Sequence, residues 1–274
     1  MTFLAPITKI AETIHAPMCC WFILGAMILA SPLNSFSQEF SEAIEDNSFF
    51  IEEAYNQELG VVQHISTGYY QPKNRDFVYT FTQEWPIGGQ THQLSYTIPY
   101  LSLQSGRCGF GDIALNYRYQ LWDGGNWGWV SPRLSILLPT GRSSDGLGNG
   151  VAGFQMNLPL SKRWSNGFIS HFNAGVTILA DDHASSSYFF GASGIWLLNE
   201  NINVMCEVLQ TIDAEIDESG NVAHSSQTII SPGVRYAINL GELQIVPGFA
   251  LPVTVAEGEL KLNAFAYLSF EHPF

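Results

Sequence analysis

Two neighbouring stretches of alternating polarity limit the fold of this chain more than any other feature. Residues 76–86 read DFVYTFTQEWP and residues 92–103 read HQLSYTIPYLSL, so apolar and polar side chains take alternate positions. A period of two is that of a β-strand whose two faces meet different surroundings. Gly88 and Gly89 lie between the two stretches, so the sequence predicts a hairpin here.

The same pattern recurs from Val61 to the end of the chain and predicts about 12 antiparallel strands. Connections after the even-numbered strands are short, whereas several of the others are longer and polar, such as residues 142–150. Short turns at one end and longer loops at the other are typical of outer-membrane barrels, and an even strand number places both barrel ends of the chain at the periplasmic side. The predicted strands cover residues 61–70, 76–86, 91–103, 109–121, 127–139, 151–161, 168–179, 187–198, 202–212, 224–238, 243–254 and 260–274.

Composition supports a membrane barrel over a soluble sandwich. Charged residues make up 13% of the 274 residues, about half of the usual share. The one apolar run of note lies near the N-terminus and is too short to span a bilayer as a helix. The net charge of −14 argues against nucleic acid as a partner, because phosphate binding needs clustered Lys and Arg.

The positions of charges within the strands predict which face meets lipid. In each strand, the class of alternate positions that holds aromatic and aliphatic side chains carries no charge away from the strand ends. A charge that faces lipid at the bilayer midplane costs about 2–4 kcal/mol, so this class should face lipid and the other a polar lumen. The sequence therefore predicts an all-β fold, an antiparallel transmembrane β-barrel of about 12 strands. The predicted lipid-facing class includes Phe77, Tyr96, Tyr117, Leu134, Phe154, Phe172, Phe190, Val204, Val234, Phe249 and Leu268.

The chain divides into three predicted parts. Residues 1–37 should be a signal peptide, because the apolar run 19–30 has the length of a signal core and small residues precede Gln38. Residues 38–60 are acidic, and two interpretations stay open for them: a periplasmic N-terminal arm or partial plug that enters the barrel end, or a disordered leader. Residues 61–274 should form the outer-membrane β-barrel.

Seven side chains on the polar face are candidates for the lumen and its constriction. Three arginines and three carboxylates fall at similar depth, so we expect an ion-pair layer across the lumen. The alternative is a set of separate charges in water, each worth little. His171 is expected to be a solvated lumen residue, and the histidines and cysteines show no metal-site or cofactor spacing. The seven residues are Glu84, Arg118, Arg133, His171, Glu207, Arg235 and Glu271.

The chain ends in Phe274, on the lipid-facing class of its last strand. A terminal aromatic residue at this place resembles the signature that the barrel assembly machinery reads in outer-membrane proteins. We therefore expect export to the outer membrane of a Gram-negative cell, with the lipid bilayer and this machinery as partners.

A family of bacterial outer-membrane transporters, labelled "MetA-pathway of phenol degradation", resembles this chain in four segments. They read EAYNQE (residues 53–58), FTQEWP (81–86), GFGDI (109–113) and PTG (139–141). The resemblance covers most of the chain after residue 37. It implies a channel for small, hydrophobic or aromatic solutes, and it carries no catalytic residues.

The function predicted from the sequence is thus a passive outer-membrane channel or transporter for small molecules, and not an enzyme. Two alternatives stay open. One is a non-conducting structural barrel. The other is an enzyme similar to outer-membrane phospholipases, because His64-Ile65-Ser66 and His224-Ser225-Ser226 provide His-x-Ser pairs. A serine nucleophile also needs an oriented histidine base, and no orienting partner is evident beside the second pair.

Overall fold

The computed structural model describes residues 48–125, 127–181, 186–216 and 222–274, and these are almost entirely β-strand. A short 3-10 helix (Ser143–Asp145) lies in the loop between the fifth and sixth strands. The strands are β1 (Val61–Gln71), β2 (Asp76–Pro86), β3 (His92–Ser102), β4 (Cys108–Phe110, Ile113–Tyr119 and Trp122–Asp123), β5 (Trp129–Val130 and Arg133–Leu138), β6 (Gly153–Ser165), β7 (Phe168–Leu179), β8 (Ser186–Leu197), β9 (Ile202–Ile216), β10 (Val222–Tyr236 and Ile238–Leu240), β11 (Leu243–Ala250 and Val253–Ala256) and β12 (Glu259–Leu262 and Ala264–Pro273).

The sheet closes on itself as a barrel. Each strand pairs antiparallel with its neighbours in the chain, and β1 pairs with β12 from Val61 opposite Pro273 to Tyr70 opposite Ala264. The backbone N–H of Phe274 donates to the carbonyl of Gly60 (2.9 Å), which ties the two ends of the barrel chain together. Among the described residues this is a closed antiparallel barrel of 12 strands, as the sequence predicted.

The strand limits agree closely with the predicted ones, with two informative exceptions. The predicted sixth strand ended at residue 161 and the predicted ninth at residue 212, whereas β6 runs to Ser165 and β9 to Ile216. In β6 the extra residues include Lys162 and Arg163, and the Lys162 ammonium lies 4.3 Å from the centre of the Trp164 ring. The charged residues mark the end of the apolar belt of the barrel, and strand pairing continues beyond that belt. No helix among the described residues is long and apolar enough to cross a membrane.

The two faces of the barrel are those predicted from the alternation. Phe154 and Phe172 point outward with 51% and 44% of their surface exposed, and the other aromatic and aliphatic residues of that class are exposed or half-buried. Glu84, Arg118 and Arg133 belong to the opposite class and are buried. An apolar outer belt around a charged interior is the arrangement of barrels that span lipid bilayers.

The inner wall, however, is polar on one side only, which differs from the polar lumen expected from the sequence. Strands β2–β7 present mainly hydroxyl, amide and charged side chains to the interior. Strands β8–β12 and β1 present many apolar ones, including Phe189, Leu209, Ile229 and Phe265. These residues form one buried cluster with residues 49–51, which lie inside the barrel. The apolar half of the wall is therefore covered by protein.

Candidate functional site

Residues 48–57, here called the inner segment, lie within the barrel before the chain enters β1. Phe49, Ile51 and Ala54 are buried, and the segment contacts strands around the wall. Ring pairs join Phe49 to Phe265 of β12 (centroids 5.1 Å apart) and Tyr55 to Trp129 of β5 (5.3 Å). Residues 1–47, which include the predicted signal peptide and the first part of the predicted arm, lie outside the described residues. The arm or plug role predicted for residues 38–60 stays a prediction.

One carboxylate oxygen of the wall holds the start of the inner segment. Glu207 Oε1 in β9 accepts the backbone N–H groups of Phe49 (3.1 Å), Phe50 (2.9 Å) and Ile51 (3.1 Å). Successive N–H groups that converge on one oxygen form an anion-binding concavity, and hydrogen bonds to a carboxylate are stronger than neutral ones. Glu207, predicted as a lumen residue, therefore serves as an anchor for the inner segment.

Two arginines of the wall hold two carboxylates of the inner segment. Arg133 donates from Nε to Glu52 Oε2 (2.9 Å), and its Nη2 lies 2.8 Å from Glu52 Oε1. Arg118 donates from Nη1 to Glu53 Oε1 (2.7 Å), and its Nη2 lies 3.8 Å from Glu52 Oε2. The side chains are largely shielded from solvent, so these pairs form a buried charge cluster.

The charge cluster differs from the ion-pair layer predicted for the lumen. That layer drew its carboxylates from the wall, whereas Glu52 and Glu53 come from the inner segment. Arg118 and Arg133 are direct cross-strand partners on β4 and β5. Like charges placed opposite each other in a sheet repel, so the pair calls for counter-charges from elsewhere. Two arginines opposite each other in adjacent strands were a signal in the sequence for an acidic partner. The acidic stretch of residues 38–60 could provide that partner.

Glu84 and Glu271 lie in one row across the sheet, because both are cross-strand partners of Gln63 in β1. Glu84 Oε2 accepts a hydrogen bond from Gln93 Nε2 (2.7 Å), and Glu271 Oε1 accepts one from Gln63 Nε2. Glu84 is buried near the charge cluster, whereas Glu271 is half-buried. The two carboxylates thus belong to a row of side chains that are hydrogen-bonded to glutamine amides, and this row lies beside the arginines.

His171 and Arg235 are more deeply buried than lumen residues in water would be. His171 is 0% exposed, which corrects the expectation of a solvated side chain; the Tyr55 ring lies against it, with centroids 5.9 Å apart. Its Nδ1 lies 2.6 Å from Ser161 Oγ. Arg235 Nε reaches Asn203 Oδ1 at 3.5 Å, and the guanidinium carbon lies 6.0 Å from the centre of the Tyr267 ring. The inner segment therefore excludes solvent from this part of the wall.

Three glycines of the wall leave room for side chains of the inner segment. A Cβ atom added at Gly191 would lie 2.1 Å from Ile51 Cδ1. Added at Gly233 or Gly248, it would lie 2.4 Å or 2.8 Å from the Phe49 ring. All three approaches are closer than side-chain atoms tolerate, so the three glycines form a seat for Phe49 and Ile51.

A small cavity of about 40 Å³ lies between the inner segment and the wall formed by β12 and β1–β5. That volume holds only a few water molecules. The cavity therefore has room for water and not for a larger solute. Its lining combines the charge cluster with hydroxyl and amide groups: Ser48, Ile51, Glu52, Glu53, Ile65, Thr82, Glu84, Ser95, Thr97, Asn116, Arg118, Arg133 and Tyr267.

Two of the four segments behind the family resemblance meet at the loop end of the barrel. Thr140 Oγ1 donates to the carbonyl of Gly111 and accepts the N–H of Ile113, each at 2.9 Å. The Asp112 carboxylate accepts the N–H groups of Gly141 (2.9 Å) and Asn149 (2.7 Å). Asp112, located at an interruption of β4, thus holds the β5–β6 loop against the barrel rim.

Among the described residues, the cysteines form no disulfide and the first His-x-Ser pair forms no catalytic pair. Cys108 and Cys206 are both free and exposed. No group of three or more His, Cys, Asp or Glu in the described ranges is placed to hold a metal ion. In the first His-x-Ser pair, His64 Nε2 lies 3.2 Å from His272 Nε2, and Ser66 Oγ lies 3.1 Å from the Tyr79 hydroxyl. These contacts do not form a nucleophile and base pair.

Solved structures with a similar fold are outer-membrane proteins. An outer membrane channel from Pseudomonas putida F1 is 12% identical, with a TM-score of 0.64 over 81% of this chain and 98% of that one. The NanC porin is 7% identical, with a TM-score of 0.53 over 77% and 100% of the two chains. The KdgM porin is 6% identical, with a TM-score of 0.50 over 77% and 99%. Identities this low show a shared fold alone.

No protein-family model and no curated protein matches the sequence. The fold is that of outer-membrane barrels, and the "MetA-pathway of phenol degradation" label stays a prediction that rests on the four short segments.

Proposed function

We propose that this chain is a passive outer-membrane channel for small molecules. The observation that carries the proposal is the pairing of an apolar outer belt with an inner wall that keeps charged and hydrogen-bonding groups around a cavity. A barrel that served only as a structural element would gain more from a well-packed interior, because buried charges cost free energy when they leave water. The fold shared with a channel and two porins supports the same proposal.

The solutes are proposed to be small and hydrophobic or aromatic, as the family resemblance implies. The wall of β2–β5 adds the hydroxyl groups of Thr82, Ser95 and Thr97 and the amide of Asn116. These groups offer hydrogen bonds to a ring that carries a hydroxyl or carboxyl group.

The test is conductance and solute flux of purified protein in planar bilayers and liposomes. We expect discrete conductance steps, and swelling of liposomes in isotonic solutions of small phenolic solutes but not of oligosaccharides. Protein denatured by boiling before reconstitution is the control. Folded protein that gives neither current nor swelling would favour the structural barrel. Release of fatty acid from phospholipid vesicles would favour the enzyme.

A further inference from the structure

The hydrogen bonds that hold the inner segment come from side chains and not from the β-sheet. Among the described residues, its backbone N–H groups donate to side-chain oxygens of the wall. Three of these N–H groups donate to Glu207. Those of Glu52, Ala54 and Gln57 donate to other wall residues: to Asn173 Oδ1 (2.8 Å), Ser161 Oγ (2.7 Å) and Gln93 Oε1 (2.7 Å), respectively. The strand ladder of the closed barrel is complete without them. Departure of the inner segment would therefore break no hydrogen bond of the strand ladder.

Two separate contacts hold the inner segment in its seat, and the wall groups in them carry opposite charges. At its start the wall provides the anion, because Glu207 accepts three N–H groups. Further along, the wall provides the cations, because Arg118 and Arg133 hold Glu53 and Glu52. Neither contact is covalent, and each becomes weaker when its charges meet water. Such contacts suit a segment that leaves its seat and returns.

The cavity beside the seated segment is too small for an aromatic solute. The cavity between the segment and the wall formed by β12 and β1–β5 measures about 40 Å³, which holds a few water molecules and no aromatic ring. The other side of the segment packs against the apolar wall, where Phe50 lies 4.9 Å from Phe265 between ring centroids. The segment contacts strands on opposite sides of the wall, from Phe265 of β12 to Trp129 of β5, so it lies across the lumen at this level.

We propose that the inner segment is an internal gate: it blocks the barrel while seated, and solutes pass when Glu207, Arg118 and Arg133 release it. This inference rests on the proposed channel function and adds its regulation. The gate is autoinhibitory, because residues of the same chain bind Arg118, Arg133 and Glu207 of the wall.

A reversible crosslink between the segment and the wall tests the gate. Ser48 Oγ donates to Ser193 Oγ of β8 at 2.6 Å, so the double variant Ser48→Cys/Ser193→Cys places two thiols within disulfide range. The native cysteines are replaced by serine in this variant and in its parent. Mass spectrometry confirms the crosslink, and Ser193→Cys alone is the matched control.

We expect at least a tenfold lower mean conductance for the oxidised double variant than for the same protein after reduction, with no redox effect on the control. Failure of the two cysteines to crosslink in the folded barrel would overturn the seated geometry. Equal conductance of the oxidised and reduced forms would overturn the gate and leave the channel standing.

A second pair of variants removes the anchor instead of locking it. Glu207→Leu deprives the three N–H groups of their acceptor and should raise the open fraction, whereas Glu207→Gln keeps an acceptor oxygen and should raise it less. An unchanged open fraction in Glu207→Leu would count against the gate. Absence of current in every form, including a folded variant that lacks residues 48–57, would overturn the channel function itself.

Discussion

The side-chain amide of Asn173 forms two hydrogen bonds with the peptide groups of Glu52. Oδ1 accepts the Glu52 N–H and Nδ2 donates to the Glu52 carbonyl, both at 2.8 Å. An amide side chain here takes the place that a neighbouring strand would take in a sheet. The inner segment is thereby fixed in register against β7 without becoming a strand of the barrel.

Loss of this double contact should loosen the inner segment. In Asn173→Ala, the N–H and carbonyl of Glu52 lose their partners, and an unpaired buried polar group costs about 1–3 kcal/mol. A cysteine introduced as Ala54→Cys reports the change, because Ala54 is fully buried in the seated segment. We expect at least tenfold faster labelling of this cysteine by a water-soluble maleimide in Asn173→Ala. The neighbouring outward-facing change Phe172→Leu should leave the rate unchanged, and equal rates in both variants would contradict the assignment.

Removal of Arg133 should change both conductance and ion selectivity. Glu52 loses the guanidinium that contacts both of its carboxylate oxygens. Breaking a buried ion pair costs about 3–5 kcal/mol, and this cost destabilises the seated position of the inner segment. Conductance should therefore rise in Arg133→Ala. The loss of one positive charge should also shift the reversal potential in a salt gradient toward cation preference.

Arg133→Lys separates these two effects. It keeps the charge but cannot form both hydrogen bonds with Glu52 in one plane, so conductance should rise without the shift in selectivity. Identical reversal potentials for Arg133→Ala and the unmodified protein would place the selective level of the barrel elsewhere.

A charge on the outer face should harm folding more than the same charge on the inner face. Leu115 in β4 is 45% exposed and points outward, whereas Thr97 in β3 is 2% exposed and borders the cavity. Their depth is similar, because Thr97 pairs with Ala114. Leu115→Lys should lower the free energy of unfolding in lipid bilayers by about 2–4 kcal/mol, as measured by urea titration. Thr97→Lys is the matched variant, and an equal or larger loss there would reverse the assignment of the faces.

Export should remove the N-terminal 37 residues. The apolar run 19–30 has signal-peptide length, and small residues precede Gln38. The intact mass of protein purified from outer membranes should therefore correspond to a chain that begins at Gln38. A mass that includes Met1 would show that the presequence is retained.

The sequence predicted the barrel well because period-two alternation is a local property. The immediate neighbours of residues such as Phe154 and Arg133 show which face of the barrel each side chain belongs to. The same alternation, strand by strand, predicts the number and orientation of the strands. The contents of the interior depend on contacts far apart in the chain. Glu52 and Arg133 are 81 positions apart, and no local pattern joins them.

Two features of the sequence did point to an occupied interior. Inward positions such as Phe189, Leu209 and Phe265 are apolar in strands whose outward positions are apolar as well, and a water-filled lumen does not favour that composition. Gly191, Gly233 and Gly248 also share the inward class. Each of these residues is ordinary by itself, and the shared seat becomes evident only when the sheet closes and brings β8, β10 and β11 around Phe49 and Ile51.

The seam between β1 and β12 links closure of the wall to placement of the inner segment. The inner segment directly precedes β1 and touches strands as distant as β6 and β8, through Ser161 and Ser193. If the wall shuts around a segment that is already bound, seam closure and occupation of the interior are one event. If the seam shuts first with the segment outside, the product has identical strand pairing but a different topology. Only threading through an open end of the barrel converts one isomer into the other.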